Sequence, residues 1–204
     1  MSAWAPSSLH TPFYCEENVY KLLDGWAAAG LDLGECYAVF VSNPSRAVLF
    51  ACQRLSDPCL WDYHVFAAAR DADGTLRACD ADSTLPWGGR LDDYLRASLA
   101  YTSPSANGAV DLNAAQRSRF RCVSASSFLR RFSSDRSHMI GEDGQRFQPA
   151  PPWLPICGAD APSKHSLWTH WLDMGLPGEA DGPAQADYGV VRDDVTMLAW
   201  AESA

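Results

Sequence analysis

The chain has 204 residues, 47% of them hydrophobic and 20% charged, which suits one globular domain able to bury its own core and excludes a disordered chain. Sixteen Lys and Arg against 25 Asp and Glu leave a formal charge of −9, a field that repels phosphate backbones and anionic lipid heads, so neither nucleic acid nor a membrane is an expected partner. Seven irregularly spaced cysteines without a CxxC pair read as thiols of a reducing compartment, and with no leader pattern and no apolar run of ~20 residues the cytoplasm is the expected location, the nucleus also being open to a chain this small.

Residues 1 to 12 read as a loose, Pro- and Ser-containing lead-in. The pattern CEENVYKLLDGWAAAG that follows predicts a helix. Val19, Leu22, Leu23 and Trp26 recur at helical spacing, Glu16 and Glu17 fall in its first turn, and Gly30 is a natural stop. Cys15 then opens the helix on its core-facing side, where backbone N–H groups and the helix dipole favour a thiolate. Four strand-like runs come next, at 36–42, 46–53, 61–70 and 75–82, separated by the turn clusters Asn43-Pro44-Ser45, Ser56-Asp57-Pro58 and Asp71-Ala72-Asp73-Gly74. One helix followed by hairpin-connected strands predicts an α+β fold, an antiparallel sheet meander packed by helices. From 89 to 140 the reading is mainly helical, with Leu91, Tyr94, Leu95 and Leu99 on one face, and Phe128, Leu129 and Phe132 in a second helical stretch with Ser caps at hand. Residues 141 to 187 form a loop-rich arm interrupted by a short helix at 167–176, and 188–194 reads as a final strand. No repeat and no linker divides the chain, which is read as a single domain over 1–204.

A nucleophile needs a base, and the base needs a group that fixes its tautomer, so the informative set is a Cys, a His and a carboxylate whose local structures can converge. Cys15, His64 in WDYHV and Asp80 on the next strand meet that description. A three-residue hairpin loop at Ala72, Asp73 and Gly74, with Gly74 left-handed, pairs Asp71 with Thr75, and so sets Phe66 opposite Asp80 and His64 opposite Asp82. His64 and Asp80 then share one face as diagonal neighbours about 7 Å apart at the backbone, within side-chain reach. A slip of one residue would put them on opposite faces. Each residue also has a plainer reading: a packed cysteine at a helix start, a satisfied core histidine, an aspartate that begins a turn.

The segments YCEENVYKL (14–22), ECYAVFVSN (35–43), WDYHV (61–65), DADSTLP (80–86) and FSSDRSHM (132–139) occur in one order and together resemble the protein N-terminal glutamine amidohydrolase family. The resemblance spans roughly residues 13 to 157, with a fainter echo at Tyr188-Gly189-Val190-Val191. It implies a papain/transglutaminase-like core with a thiol-hydrolase triad on Cys15, His64 and Asp80. It further implies hydrolysis of the side-chain amide of an N-terminal glutamine, in a protein or peptide with a free N-terminus, to glutamate and ammonia through a Cys thioester, by a monomer without a cofactor. In a eukaryote that product would feed the arginylation of N-terminal glutamate that marks proteins for degradation.

Selectivity for a chain end requires an acidic group, or a cluster of carbonyls, to receive the α-ammonium. Glu16, Glu17, Asp62 and Asp82 are the candidates near the triad, although for Glu16 or Glu17 alone helix stabilisation is the weightier reading. Trp61 and Trp87 are candidate walls of the pocket, and the backbone N–H of Cys15 is a candidate oxyanion donor. His138 is read as structural, in a helix end held by an Asp135–Arg136 or backbone network. His165 and His170, five apart, suit no helix-face metal pair, and no Cys or Asp spacing supports zinc, so no metal is expected. No phosphate-cradling glycine loop is present, so no nucleotide cofactor is expected either. Two other functions stay open on the same residues: a different thiol enzyme, either a peptidase or a transglutaminase-like acyl transferase, and a catalytically silent module that binds peptide N-termini.

Overall fold

The computed structural model describes residues 4–99, 116–176 and 185–203. Helix α1 (Cys15–Ala28) is followed by strands β1 (Cys36–Ser42), β2 (Val48–Phe50), β3 (Cys59–Trp61), β4 (His64–Arg70), β5 (Leu76–Cys79) and β6 (Gly89–Arg90). Then come α2 (Leu91–Ser98), β7 (Arg119–Ser124), α3 (Ala125–Arg131), β8 (Ser133–Ser134), β9 (Ile156–Cys157), the short α4 (Gln185–Tyr188), β10 (Val190–Asp193) and α5 (Asp194–Glu202). Single helical turns occur at Ser137–Met139 and Leu167–Trp171.

Strands β10, β7, β1, β4, β5 and β6 form one sheet in that order, and every neighbouring pair is antiparallel. The chain thus adopts the expected α+β class, an antiparallel sheet packed by helices, but not a simple meander. β2 and β3 pair with each other in a separate ribbon, so the chain leaves the sheet between β1 and β4. The stretch 119–124, expected to be helical, is a strand between β1 and β10. Its period-two pattern is masked by charge, because Arg121 is buried and donates to the backbone carbonyls of Trp171, Asp173 and Tyr188. Helix α5 extends the expected final strand, and Asp193 caps it by accepting the Thr196 N–H at 2.7 Å.

Helices cover both faces of the sheet. Cys36, Ala38 and Phe40 of β1 with Val65, Ala67 and Ala69 of β4 pack in one core with α1 and α3. Val39 and Val41 with Phe66 and Ala68 pack on the other side with α2 and α5, where Leu91, Tyr94, Leu95 and Leu99 share a buried face as expected. Burial on both faces explains why β1 and β4 read as continuous apolar runs. The small residues Ala67, Ala68 and Ala69 let helices come close to the sheet centre, and α1 packs directly on β4.

The lead-in is not loose over its described residues. Trp4 is buried with its ring centroid 5.0 Å from that of Trp26, the Trp26 Nε1–H donates to the Ala5 carbonyl at 2.9 Å, and the Trp87 Nε1–H donates to the Trp4 carbonyl at 2.7 Å. These contacts anchor the start of the lead-in against α1 and Trp87. Residues 100–115, in the stretch read as mainly helical, and 177–184 of the loop-rich arm lie outside the described residues. All seven cysteines are free thiols. Among the described residues no helix is long and apolar enough to cross a membrane.

Candidate active site

The β4–β5 ladder pairs Arg70 with Leu76, Ala69 with Arg77, Ala68 with Ala78 and Ala67 with Cys79. This is the register expected from the turn, with the Asp71 N–H bonded to the Thr75 carbonyl at 2.9 Å and Gly74 left-handed at φ +86°. The ladder ends at Cys79, which leaves His64 and Asp80 at the end of the sheet on the same side. His64 Nε2 donates to Asp80 Oδ2 at 3.0 Å. The same oxygen accepts the Tyr94 hydroxyl at 2.7 Å, and Oδ1 accepts the Asp82 N–H at 3.0 Å. Burial alone would push the Asp80 carboxyl up, yet His64, Tyr94 and the Asp82 amide together hold it below the usual carboxylate range. For His64 the balance runs the other way: burial opposes its charged form, and Asp80 overrides it, raising the imidazole above its ordinary value. The ring lies stacked on Trp61 at 6.0 Å between centroids, with Phe50 edge-on at 5.2 Å. With Nε2 committed to Asp80, Nδ1 is the nitrogen left to exchange a proton.

Cys15 is the first residue of α1 and lines the same cavity as His64, which has a volume of about 200 Å³. The chain enters the helix through Phe13, whose φ of +69° is a left-handed conformation that costs an aromatic residue on the order of 1–3 kcal/mol. Tyr14 occupies the cap position without a side-chain capping bond. The first-turn N–H groups therefore keep no intrahelical partner and no cap. Against the thiolate favoured by a helix start, burial first, and the Glu16 carboxylate next, push the Cys15 thiol well above its ordinary value, with Asp82 adding to the effect. The thiol donates to Glu16 Oε2 at 3.6 Å.

Glu16 and Glu17, adjacent in sequence and both fully buried, go to different tasks. Glu16 packs behind the cavity wall: Oε2 also accepts the Tyr63 hydroxyl at 3.0 Å, and Oε1 lies 3.5 Å from His138 Nε2 as an ion-pair contact. Glu17 is held by Arg136 through two bonds of 2.8 and 2.7 Å and by Trp153 Nε1 at 2.6 Å, so it ties the 136–153 segment to α1. Of the two expected arrangements the backbone one is found: Arg136 goes to Glu17 rather than to Asp135, and Asp135 accepts the Ser137 N–H at 2.9 Å. Asp62 and Trp61 line the cavity as expected, with Asp62 exposed at its edge. Asp82 lines it too, but its carboxylate is engaged by His10 Nε2 at 2.8 Å. Trp87 does not reach this cavity and borders a smaller cleft with Val65 and Cys79.

Sequence reasoning missed three contributors. Tyr94 reads as part of an apolar helix face, and nothing local reveals that its hydroxyl meets Asp80. Tyr63 sits inside WDYHV but only the tertiary structure shows its bond to Glu16. His138 lines the cavity and stacks on His165 with centroids 5.2 Å apart, whereas His170 lies elsewhere against Tyr188. The motif FSSDRSHM was the available signal for His138. Among the described residues the cluster of metal-capable groups is His64, Asp80 and Asp82, with ligand atoms within 4.8 Å of one another. Their polar atoms are already joined to each other and to His10, which suits an oriented imidazole better than a metal cage.

A family model described as N-terminal glutamine amidase matches residues 10–199. A protein N-terminal glutamine amidohydrolase of Caenorhabditis briggsae is 34% identical over 80% of this chain and 83% of its own length. One of Arabidopsis thaliana is 36% identical over 74% and 69%. Among solved structures, a protein-glutaminase from Chryseobacterium proteolyticum superposes with a TM-score of 0.34 and 13% identity, over 73% of this chain and 65% of that one. With its matched span running from the lead-in through the last helix, the chain belongs to the N-terminal glutamine amidase family.

Proposed function

We propose that the chain hydrolyses the side-chain amide of an N-terminal glutamine, releasing ammonia and leaving an N-terminal glutamate, with Cys15 as nucleophile, His64 as base and acid, and Asp80 as the group that orients the imidazole. One observation carries the reading: the Cys15 thiol and the His64 imidazole border one small cavity, and the imidazole is bonded from behind to the buried Asp80 carboxylate. The cavity, about 200 Å³, has room for a glutamine side chain.

His64 Nδ1 takes the Cys15 proton as the sulfur attacks the side-chain carbonyl carbon, and the Cys15 N–H at the start of α1 donates to the oxyanion. The imidazolium, stabilised by Asp80, gives its proton to the departing ammonia. A water activated by the same ring then cleaves the γ-glutamyl thioester and regenerates the thiol. Asp62, the candidate acid exposed at the cavity edge, receives the α-ammonium, and Trp61 walls the cavity beside His64. Asp82 acts through its backbone N–H on Asp80 and through its hold on His10.

The test is ammonia release from three peptides that differ only in their first residue: glutamine, asparagine and acetylated glutamine. Release from free glutamine alone, abolished in Cys15→Ala and His64→Ala, supports the reading. Backbone cleavage or cross-linking would assign another thiol chemistry, and binding without turnover would assign a silent module.

A further inference from the structure

We propose that Phe147 is a specificity-determining residue: its ring, at the mouth of the catalytic cavity, receives the side chain of the substrate's second residue and selects for an apolar one. The proposal deepens, and rests on, the reading of the site as acting on N-terminal glutamine. Cys15 and His64 are only 9% and 1% exposed and mark the deep end of the cavity, whereas Phe147 lines the same cavity and is 64% exposed. A glutamine whose side-chain amide reaches the sulfur has its own backbone carbonyl toward the mouth, and the next α-carbon follows ~3.8 Å further on. The second side chain therefore meets the rim.

That rim is apolar. Phe13, Trp61, Met139 and Trp168 line the cavity together with Phe147. Phe13 lies edge-on to Trp61 at 6.2 Å between centroids, and Trp168 lies edge-on to Tyr63 at 5.7 Å with the Arg46 guanidinium 4.4 Å over its ring. These side chains are partly buried, and Phe147 is the exposed one among them. It is nonetheless held in place. Residues 139–147 form a hairpin in which Ile140 pairs with Arg146, the Gly141 N–H donates to the Gln145 carbonyl at 2.8 Å, and the Phe147 N–H donates to the Met139 carbonyl at 3.0 Å. The Phe147 ring rests on Gly141, where an added Cβ would come within 3.1 Å of it. Single exposed apolar side chains are ordinary on protein surfaces; this one continues the wall of a catalytic cavity and stands on a braced backbone, so it loses little freedom when covered. Phe147 and Met139 offer hydrocarbon and a thioether, with no strong hydrogen-bonding atom. An apolar side chain gains by leaving water there, and a polar one of the same shape gives up its water without a hydrogen bond in return.

The experiment uses three peptides of one sequence that begin Gln-Leu, Gln-Asn and Gln-Gly; leucine and asparagine have nearly the same shape and opposite polarity. In the parent, KM for the leucine peptide is expected to be roughly 3- to 12-fold below that for the other two, half of what fully burying a leucine side chain yields. Across the set kcat should stay within about two-fold, since the contact is the same in the ground and transition states. Phe147→Ser is expected to bring the three KM values within about two-fold of one another, and Phe147→Leu to keep most of the leucine advantage. One KM for all three peptides in the parent, an asparagine peptide as favoured as the leucine peptide, or a leucine advantage that survives Phe147→Ser would overturn the inference while leaving the function reading intact. If the parent releases ammonia from none of the three, both fall together.

Discussion

Glu16→Gln isolates a tension built into the site, because a buried carboxylate stands beside the thiol proposed as the nucleophile. Its Oε2 lies 3.6 Å from the Cys15 sulfur, and both groups are buried. At that distance two unit charges interact with about 4–5 kcal/mol at an effective dielectric of 20. Relaxation and the retained amide dipole reduce this, and even a third of it corresponds to about a tenfold change in the thiolate population. The variant is nearly isosteric, and its amide oxygen can still accept the Tyr63 hydroxyl, so the fold should hold. Alkylation of Cys15 by iodoacetamide at neutral pH, read peptide by peptide, is expected to accelerate roughly 10- to 100-fold. Cys36, Cys79 and Cys122 serve as internal references, since burial pushes each of them up to about 12. In the parent the Cys15 rate should climb only as pH enters the alkaline range, and in the variant the climb should start at lower pH. Unchanged or slower alkylation would refute the claim that Glu16 keeps the thiol protonated.

Other expectations follow from the same contacts. Asp80→Asn should lower kcat by about 10²–10⁴ while leaving measurable turnover; Tyr94→Phe, which removes one of three donors to Asp80, should cost only about 3- to 30-fold, in kcat rather than KM. Arg136→Met strands the buried Glu17 carboxylate and should destabilise the protein by about 3–5 kcal/mol, seen as a lower Tm, and adding Glu17→Leu should recover much of it. The His10–Asp82 contact gives a pH effect of defined sign. The hydrogen bond that the His10 imidazole donates to Asp82 raises it above its ordinary value, so the contact is fully formed below that ordinary value and fades as pH rises through the raised one. Hydrogen exchange across residues 4–12 should therefore be faster in His10→Ala than in the parent at pH 6, and the two should converge at pH 9.

Short-range patterns settled what short-range physics controls. The apolar spacing of Val19, Leu22, Leu23 and Trp26 specified α1, and the Asp73-Gly74 turn specified a register that places His64 and Asp80 on one face, because a turn's backbone chemistry propagates along a ladder with period two. The family motifs located the cysteine, histidine and aspartate in the chain. What depends on distant partners stayed hidden. Glu16 and Glu17 are indistinguishable first-turn acids until Arg136 and Trp153 arrive to claim one and Tyr63 and Cys15 the other. Arg121 disguised a strand as something else because only the packed fold supplies carbonyls for a buried guanidinium. Cys15 is the sharpest case: the helix start favours a thiolate locally, but burial and a carboxylate 3.6 Å away push the thiol up, since in a low-dielectric pocket the lost water and the charges of the neighbours oppose a helix dipole.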